Sequence, residues 1–347
     1  MAEPYTLLFQ PILKSKVWGG RRLGRFGKPL PDDPNNMIGE SWELADLAAT
    51  SPTGGGGDPA HSQVTNGPFA GQPIANATAA WKSDLLGDSI YKRECQKQHT
   101  ETPAFPLLLK YLDASEHLSV QIHPSPAYAA SHADAHLKTE SWFILDAEPM
   151  GDHAPVIYKG LKPGTDEATL RKHIAEGTLA EVLISEPAIP GACHTLPSGT
   201  VHALGGGVLV AEVQTPSDTT FRLYDWTKEY GRAERALHID QAIECTDFTD
   251  GTPPESLAAP DGATQSRVAS TEFYTIDDTR PTDTPIHLPA GACTLLMTIA
   301  GSGRVVTEGR ADTPLTVGTT ALVPAAIAGI TALESDEHLR VLVIGLA

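Results

Sequence analysis

Residues 197–207, which read PSGTVHALGGG, decide the fold. Pro197 and Gly199 are residue types that make a tight turn, because proline presets its φ and glycine accepts conformations closed to other residues. After the turn, the apolar residues predict a strand with His202 near its start. We expect this histidine to point into a β-barrel, where a buried imidazole can bind a metal.

A second stretch, LSVQIHP at residues 118–124, shows the alternation of a strand. Gln121 and His123 are two residues apart, so on a strand their side chains point the same way, roughly 7 Å apart. Ser119 precedes them on the same face, and the residues between them are aliphatic. This polar face is either exposed to water or half of a metal site, and the alternation alone leaves both open.

A carboxylate that would complete such a site is Glu140 in KTESWFIL, at the start of another predicted strand. Together with the nitrogens of His123 and His202 it forms a donor set that suits a catalytic zinc ion. The amide oxygen of Gln121 would be an unusual fourth ligand. The opposing interpretation is that these side chains are structural, as most of the 13 histidines must be.

Short apolar runs separated by turn residues dominate the middle of the chain and return near its C-terminus. We therefore predict a mainly β fold with two jelly-roll domains and a small helical patch at about 75–100. A further surface helix is predicted with Thr165 as its N-cap. The larger domain, which carries the candidate site, is predicted at 1–245, a linker at 246–268 and a smaller domain at 269–347.

Composition restricts the partners of the chain. It has 347 residues and a formal net charge of −18, and its basic residues form no run, so nucleic acid and membrane surfaces are not expected partners. An anionic ligand would need lysines and arginines gathered locally. The four cysteines have no CxxC spacing, and there is no leader-like or 18-residue apolar segment, so we predict a cytoplasmic protein.

Several separate motifs, in order along the chain, resemble one family. They are VWGG, IGESWEL, NGPFAG, FPLLLKYLDASEHLSVQIHP, KTESWFIL, YKGLKPGT, LPSGTVHALGGGVLVAEVQTPSDTTFRLYDW and LHIDQAI. They are similar to the type I, zinc-dependent mannose-6-phosphate isomerases in their short bacterial form, from about residue 10 to 245. The P-x-G-x-x-H turn likewise resembles the second motif of the cupin superfamily, which implies cupin-type jelly rolls. The Gly-rich stretch at 53–57 is not a family signature.

The resemblance implies a metal site and an active site. The implied ligands of one Zn²⁺ per chain are Gln121, His123, Glu140 and His202. The implied catalytic residues are Arg222, Glu212, Lys138 and Asp218. The implied substrate-binding residues are Ser119 and Lys110.

The reaction that the resemblance implies interconverts mannose 6-phosphate and fructose 6-phosphate through a cis-enediol, as a proton moves between C1 and C2. Arg222 is always protonated, so it suits the stabilisation of negative charge and not the role of base. Glu212 and a zinc-bound water are the alternatives for the base. Phosphate binding is expected from Ser119, Lys110 and Lys138, with Arg222 as a further candidate.

Several of these residues also have purely structural interpretations. Lys110 and Lys138 can be lysines whose stems pack while their ammonium groups reach water, and Glu212 can be a buried ion-pair partner of Arg222. Two other functions are alternatives: a non-catalytic sugar-binding cupin and a cupin metal oxygenase. The sequence gives no oligomeric state.

Overall fold

The structure is a computed structural model that describes residues 2–51, 53, 57–132, 135–150, 154–248 and 253–347. Within these ranges the strands are β1 (Leu7–Leu8), β2 (Ile12–Gly20), β3 (Ile38–Leu44), β4 (Asp46–Leu47), β5 (Ala60–His61), β6 (Leu108–Asp113), β7 (Val120–Ile122), β8 (Glu140–Ala147), β9 (Val156–Leu161), β10 (Leu183–Pro187), β11 (Ala192–Leu196), β12 (His202–Leu204), β13 (Val208–Gln214), β14 (Phe221–Tyr224), β15 (Leu257–Ala258), β16 (Gln265–Ser270), β17 (Tyr274–Thr279), β18 (Ile286–His287), β19 (Thr294–Thr307), β20 (Thr313–Thr316), β21 (Thr320–Val323) and β22 (Thr331–Leu346). The α-helices are α1 (Ile74–Trp81), α2 (Ser83–Leu86), α3 (Asp88–Gln98), α4 (Pro126–Ser131), α5 (Glu167–Glu176), α6 (Thr227–Tyr230), α7 (Ile239–Cys245) and α8 (Ala325–Ala328). The described residues contain no helix with the length and apolar character needed to span a membrane.

Two antiparallel sheets face each other in the first part of the chain. One has seven strands in the order β15-β11-β8-β13-β6-β3-β2, and the other has five in the order β10-β9-β12-β7-β14. Apolar side chains from both sheets share one buried cluster, in which Trp142 and Val210 of the first pack with Ile157 and Leu204 of the second. This is the face-to-face packing of a jelly roll, and the predicted mainly β fold is confirmed.

Strand alternation determines which side chains enter the space between these sheets. In β8, Trp142 belongs to the cluster between the sheets, whereas its neighbour Phe143 packs on the opposite face. Glu140 lies two residues before Trp142 and therefore faces inward. By the same rule His202, two residues before the inward-facing Leu204, also enters the space between the sheets.

An eight-stranded sheet forms most of the C-terminal part, in the order β1-β21-β19-β22-β17-β16 with β18 and β20 beside β22 and β19. Its longest strands, β19 and β22, pair from Thr294 opposite Gly345 to Thr307 opposite Thr331. The N-terminal β1 joins this sheet through β21, whereas β15, within the predicted linker, pairs with β11 of the seven-stranded sheet. An N-terminal strand thus belongs to the C-terminal sheet, and a strand of the predicted linker belongs to the seven-stranded sheet. The domain boundaries stay predictions.

The helical patch predicted at about 75–100 is confirmed as α1, α2 and α3, which pack in the largest apolar cluster together with residues of the C-terminal sheet. Gly87, between α2 and α3, has φ of 94°, and a Cβ there would lie 2.2 Å from the carbonyl oxygen of Gly291. This close approach of two backbone segments explains the glycine.

The predicted N-cap of the surface helix is wrong by one residue. Helix α5 begins at Glu167, and the carboxylate of Asp166 accepts a hydrogen bond from the backbone N–H of Thr169 at 2.8 Å. Because threonine and aspartate both cap helices well, residue type alone did not separate Thr165 from Asp166.

Candidate metal centre and active site

Three buried donor side chains meet between the two facing sheets. His202 begins β12 and lies opposite Gln121 of β7 in the five-stranded sheet. Glu140 begins β8 in the seven-stranded sheet, and His123 follows directly after β7. The exposed fraction is 1% for His123, 0% for Glu140 and 1% for His202, so all three are shielded from water.

The donor atoms of these three residues have the spacing of metal ligands. They all lie within 4.8 Å of one another. Glu140 Oε2 is 3.4 Å from His123 Nε2, and Glu140 Oε1 is 3.2 Å from His202 Nε2. Tetrahedral coordination with bonds of about 2.1 Å holds neighbouring donors about 3.4 Å apart. Among the described residues Glu140 Oε1 also lacks a hydrogen-bond donor, so a buried lone pair is left for a cation.

Backbone carbonyl groups orient both imidazole rings. His123 Nδ1 lies 2.8 Å from the carbonyl oxygen of Thr219, and His202 Nδ1 lies 2.8 Å from that of Thr200. A carbonyl oxygen can only accept, so each Nδ1 carries the proton and each Nε2 keeps its lone pair towards Glu140. Burial, followed by the charge of Lys138, lowers the pKa of His123 to about 3, which keeps this ring in the neutral form that binds metals.

Gln121 stands beside this group as a further donor. Its Nε2 is 3.3 Å from His202 Nε2, and its Oε1 accepts a hydrogen bond from the Ser119 hydroxyl at 3.3 Å. A half-turn of the amide exchanges its oxygen and nitrogen, which directs the oxygen to the metal ligands and the N–H₂ to Ser119. The amide therefore fits the donor set in one of its two orientations.

Two lysines and two glutamates form a series of ion pairs next to the three donor side chains. Lys138 Nζ contacts Glu140 Oε2, lies 3.0 Å from His123 Nε2 and is 3.8 Å from Glu212 Oε1. Lys110 Nζ is 3.3 Å from Glu212 Oε1. Burial alone would raise the pKa of Glu140, but that pKa lies well below its usual range, and the charge of the contacting Lys138 is the largest effect that lowers it.

Lys110 itself is buried, which would lower its pKa, but the surrounding carboxylates, Glu212 first, raise that pKa above its usual value. Glu212 also accepts a hydrogen bond from Trp142 Nε1 at 3.2 Å. Both lysine side chains are only 6% exposed, so the interpretation that their ammonium groups reach water does not hold.

One open pocket collects most of the residues that the sequence pointed to. The predicted residues that line it are Lys110, Ser119, Gln121, Lys138, Glu212, Asp218 and Arg222. His123, Glu140 and His202 adjoin it through Lys138 and Gln121. Sequence reasoning missed a further set of lining residues, which are Lys16, Trp18, Glu40, Trp42, Thr53, Thr220 and Arg235.

Two of the missed residues carried a signal. Glu40 and Trp42 are two apart in the motif IGESWEL, so the alternation argument applied to β7 would have placed both on one face of β3. Trp42 Nε1 donates to Glu40 Oε2 at 2.6 Å. Burial would raise the pKa of Glu40, but the charges of Lys16 and Lys110 and the Trp42 hydrogen bond hold it at about 2.

Arg222 and Asp218 occupy different environments within the pocket. Arg222 Nη1 donates to the carbonyl of Ala236 at 2.7 Å, whereas its buried Nε has no partner among the described residues. Asp218 Oδ1 accepts a hydrogen bond from the backbone N–H of Ser51 at 2.6 Å and so connects the segment between β13 and β14 to the segment after β4. Since Glu212 lies against Lys110 and Lys138, it is not the buried ion-pair partner of Arg222.

Comparison with known proteins places these motifs in a family. Residues 7–146 match the model of the phosphomannose isomerase type I catalytic domain. A mannose-6-phosphate isomerase of Streptococcus mutans is 33% identical over 311 residues, which cover 88% of this chain and 87% of that protein. The chain belongs to the type I phosphomannose isomerase family.

Solved structures agree with this membership in the phosphomannose isomerase family. The crystal structure of the mannose 6-phosphate isomerase from Bacillus subtilis is similar with a TM-score of 0.77 and 26% identity, over 99% of each chain. A mannose 6-phosphate isomerase from Salmonella typhimurium, bound to fructose 6-phosphate and zinc, shares the fold with a TM-score of 0.69 and 14% identity, over 98% of this chain and 99% of that one. The predicted family and enzyme class, a mannose-6-phosphate isomerase, are confirmed, and the buried donor group gives this family member a metal site.

Proposed function

We propose that this chain interconverts mannose 6-phosphate and fructose 6-phosphate with one zinc ion per chain. The observation that carries the proposal is the buried group of His123, Glu140 and His202, whose donor atoms lie within 4.8 Å of one another beside the polar pocket. Family membership supplies the reaction, and the donor group supplies a place for the metal. The substrate is a small sugar phosphate, and neither nucleic acid nor a membrane takes part.

Zinc fits the donor chemistry of this site. The proposed ligands are His123 Nε2, His202 Nε2, a carboxylate oxygen of Glu140 and the amide oxygen of Gln121. Nitrogen and oxygen donors of this kind suit zinc, and a similar fold holds zinc in the Salmonella typhimurium structure. When bound, the ion polarises a substrate oxygen and stabilises negative charge on it without redox chemistry.

Arg222, Ser119 and Lys110 bind the substrate in this proposal. Arg222 is 9% exposed, and its Nε, which has no hydrogen-bond partner among the described residues, can donate to a substrate oxygen. As a permanent cation, this group stabilises the negative charge that develops when the proton leaves the sugar carbon. Ser119 and Lys110 line the same pocket and offer a hydroxyl and an ammonium donor to the substrate oxygens.

Glu212 is the base that moves the proton between C1 and C2. The other two glutamates at the pocket suit the role of base less well. Glu140 is proposed as a metal ligand, and the pKa of about 2 makes Glu40 a weak base. Glu212 lines the pocket directly, and Trp142 Nε1 fixes its carboxylate. We propose that Lys138, whose Nζ is 3.8 Å from Glu212 Oε1, exchanges a proton with the oxygens of the sugar.

Asp218 is proposed to act by holding one wall of the pocket. Its carboxylate accepts from Ser51 N–H, and the neighbouring Thr220 N–H donates to Thr53 Oγ1 at 3.3 Å. Because Thr53 and Thr220 both line the pocket, these bonds keep the two backbone segments at a fixed separation.

The direct test is an isomerase assay on the purified protein. Metal-replete protein is expected to convert mannose 6-phosphate to fructose 6-phosphate, to lose this activity with a chelator and to regain it with zinc. A His202→Ala variant should lose metal and activity, whereas His287→Ala, at an exposed position of the C-terminal sheet, should lose neither.

Each alternative function has its own outcome in this assay. Binding of the sugar phosphate without conversion would identify a non-catalytic sugar-binding cupin and would overturn the proposal. Iron-dependent consumption of oxygen without isomerisation would identify a cupin metal oxygenase.

A further inference from the structure

Gln214 is a buried amide beside the metal ligands that the proposed reaction does not use. It ends β13, is 0% exposed and lies directly opposite Glu140 of β8. Residues opposite each other in an antiparallel pair point to the same face, so Gln214 projects from the face that carries Glu140. We propose that Gln214 is a positioning residue: it holds the loop after β13, and this loop sets the orientation of His123 and with it the affinity for zinc. The inference rests on the proposed function, because it assumes that zinc is the bound metal.

Two carbonyl groups fix the orientation of the Gln214 amide. Its Nε2 donates to the carbonyl of Thr215 at 2.9 Å and to that of Ser217. Since a carbonyl oxygen can only accept, the N–H₂ group lies on this side and the amide oxygen on the other. The buried Oε1 has no donor among the described residues, so the amide is held by its N–H₂ group alone. The function of this side chain is therefore to donate to the two carbonyls.

The loop that Gln214 holds is residues 215–220, between β13 and β14. Within it the backbone N–H of Ser217 donates to the carbonyl of Thr215 at 2.7 Å, and that of Thr219 donates to Ser217 Oγ at 3.2 Å. Thr219 in turn offers the carbonyl oxygen that lies 2.8 Å from His123 Nδ1. The two carbonyls bound by Gln214 therefore belong to the turn that places the acceptor for His123.

Other bonds attach the start of this loop to the segment before β8. The backbone N–H of Thr215 donates to the carbonyl of Thr139 at 3.1 Å, and Thr215 Oγ1 donates to the carbonyl of Leu137 at 2.9 Å. These bonds fix Thr215, whereas Gln214 supplies the donor to the Ser217 carbonyl among the described residues. Loss of the Gln214 amide would thus release the part of the loop that leads to Thr219, while its start stays attached.

The position of the Thr219 carbonyl matters for the metal because it fixes the ring of His123. With Nδ1–H held by this carbonyl, the lone pair of Nε2 points towards Glu140. Partners that orient a metal-binding histidine typically change metal affinity by about 10- to 100-fold when they are lost. Gln214 acts on His123 through the loop and not by contact, so we expect an effect of about 10-fold, at the lower end of that range.

The test compares Gln214→Met with a matched control, Thr331→Val. Methionine is a flexible side chain of similar length without an N–H group. Thr331 is also buried and donates to a carbonyl, that of Ile327 at 2.8 Å, but it lies on β22 of the C-terminal sheet. The dissociation constant of zinc, measured by competition with a fluorescent chelator, should rise by about 10-fold in Gln214→Met. Thr331→Val should lower the urea midpoint of unfolding without changing this constant.

Three further measurements separate positioning from general damage to the fold. Cobalt(II) in place of zinc has a visible spectrum that depends on ligand geometry, and this spectrum should change in Gln214→Met but not in Thr331→Val. Isomerase activity of Gln214→Met should fall when zinc is limiting and recover when zinc is in excess, which a damaged fold would not do. Gln214→Asn keeps the N–H₂ group on a shorter side chain, so it should raise the zinc dissociation constant by a smaller factor.

The inference is overturned if folded Gln214→Met binds zinc within about twofold of wild type, or if Thr331→Val weakens zinc binding equally. Should Gln214→Met fail to fold, an unchanged zinc dissociation constant in Gln214→Asn overturns it. Wild-type protein whose zinc affinity depends on Gln214 but which does not isomerise mannose 6-phosphate would refute the proposed reaction and leave this inference standing. Zinc-dependent isomerase activity with a zinc affinity indifferent to Gln214 would do the reverse, and protein that binds no zinc would refute both.

Discussion

The carboxylate of Glu40 should contribute stability that depends on pH. It is 8% exposed, accepts from Trp42 Nε1 at 2.6 Å and lies 3.0 Å from Lys16 Nζ. Its pKa of about 2, against an ordinary value of 4.5, means that the folded state prefers the charged form. A lowered pKa contributes stability that is fully present above pH 4.5 and is lost as the pH falls towards 2.

The magnitude follows from this shift. At 1.36 kcal/mol for each pKa unit, the drop from 4.5 to about 2 corresponds to about 3 kcal/mol at pH 7, decreasing to about 2 kcal/mol at pH 3.5. In Glu40→Gln this pH-dependent part disappears. The free energy of unfolding of wild type minus that of Glu40→Gln should therefore be about 1 kcal/mol larger at pH 7 than at pH 3.5.

Urea denaturation of both proteins at several pH values, followed by circular dichroism, measures this difference. Glu337→Gln, at an exposed position of β22, is the control and should differ from wild type by the same small amount at every pH. A difference for Glu40→Gln that stays constant between pH 7 and 3.5, or grows as the pH falls, would refute the account of Glu40 as a strongly stabilised carboxylate.

Three further outcomes are expected. Glu140→Gln, which keeps the size of the side chain but removes its charge, should leave less than about a tenth of the wild-type zinc after dialysis, as measured by metal analysis. Glu212→Gln should lower kcat by about 10²- to 10⁴-fold with zinc content and KM little changed, and undiminished exchange of the C2 proton with deuterated water would show that another group is the base. Gly87→Ala should destabilise the fold by about 1–3 kcal/mol without changing kcat/KM. The loss should exceed that of Gly71→Ala, because a Cβ at Gly87 meets Gly291, whereas a Cβ at Gly71 meets no described atom within 4 Å.

Sequence patterns predicted those parts of the site that depend on one strand at a time. The alternation in LSVQIHP placed Ser119, Gln121 and His123 correctly on one face, and Gln121 and Ser119 are hydrogen-bonded there. The position of Glu140 could not be obtained in this way, because it lies on β8 in the facing sheet and approaches His202 only through packing of the two sheets. Local periodicity fixes the face of a residue, whereas the pairing of sheets depends on the whole fold.

The backbone contacts of the site could not be predicted from the sequence for a different reason. The carbonyl groups of Thr219 and Thr200 orient the two imidazoles, but every residue has a carbonyl, so residue type carries no signal. The two-residue β1 is similarly too short to show a period, although it joins the C-terminal sheet through β21. These features follow from the path of the chain and are visible only in three dimensions.

The two ends of the pocket differ in their charge. A chain with a net charge of −18 repels an anionic sugar phosphate at long range, so the substrate depends on local cations once it is within about a Debye length of the surface. Near the metal ligands, Lys110 and Lys138 are matched by glutamates, which leaves that end close to neutral for the sugar hydroxyls. At the other end, Arg235 pairs with Asp225, and the buried Arg222 Nε has no hydrogen-bond partner among the described residues. In the proposed reaction this balance of charge favours neutral sugar hydroxyls, rather than a dianion, beside Lys110 and Lys138.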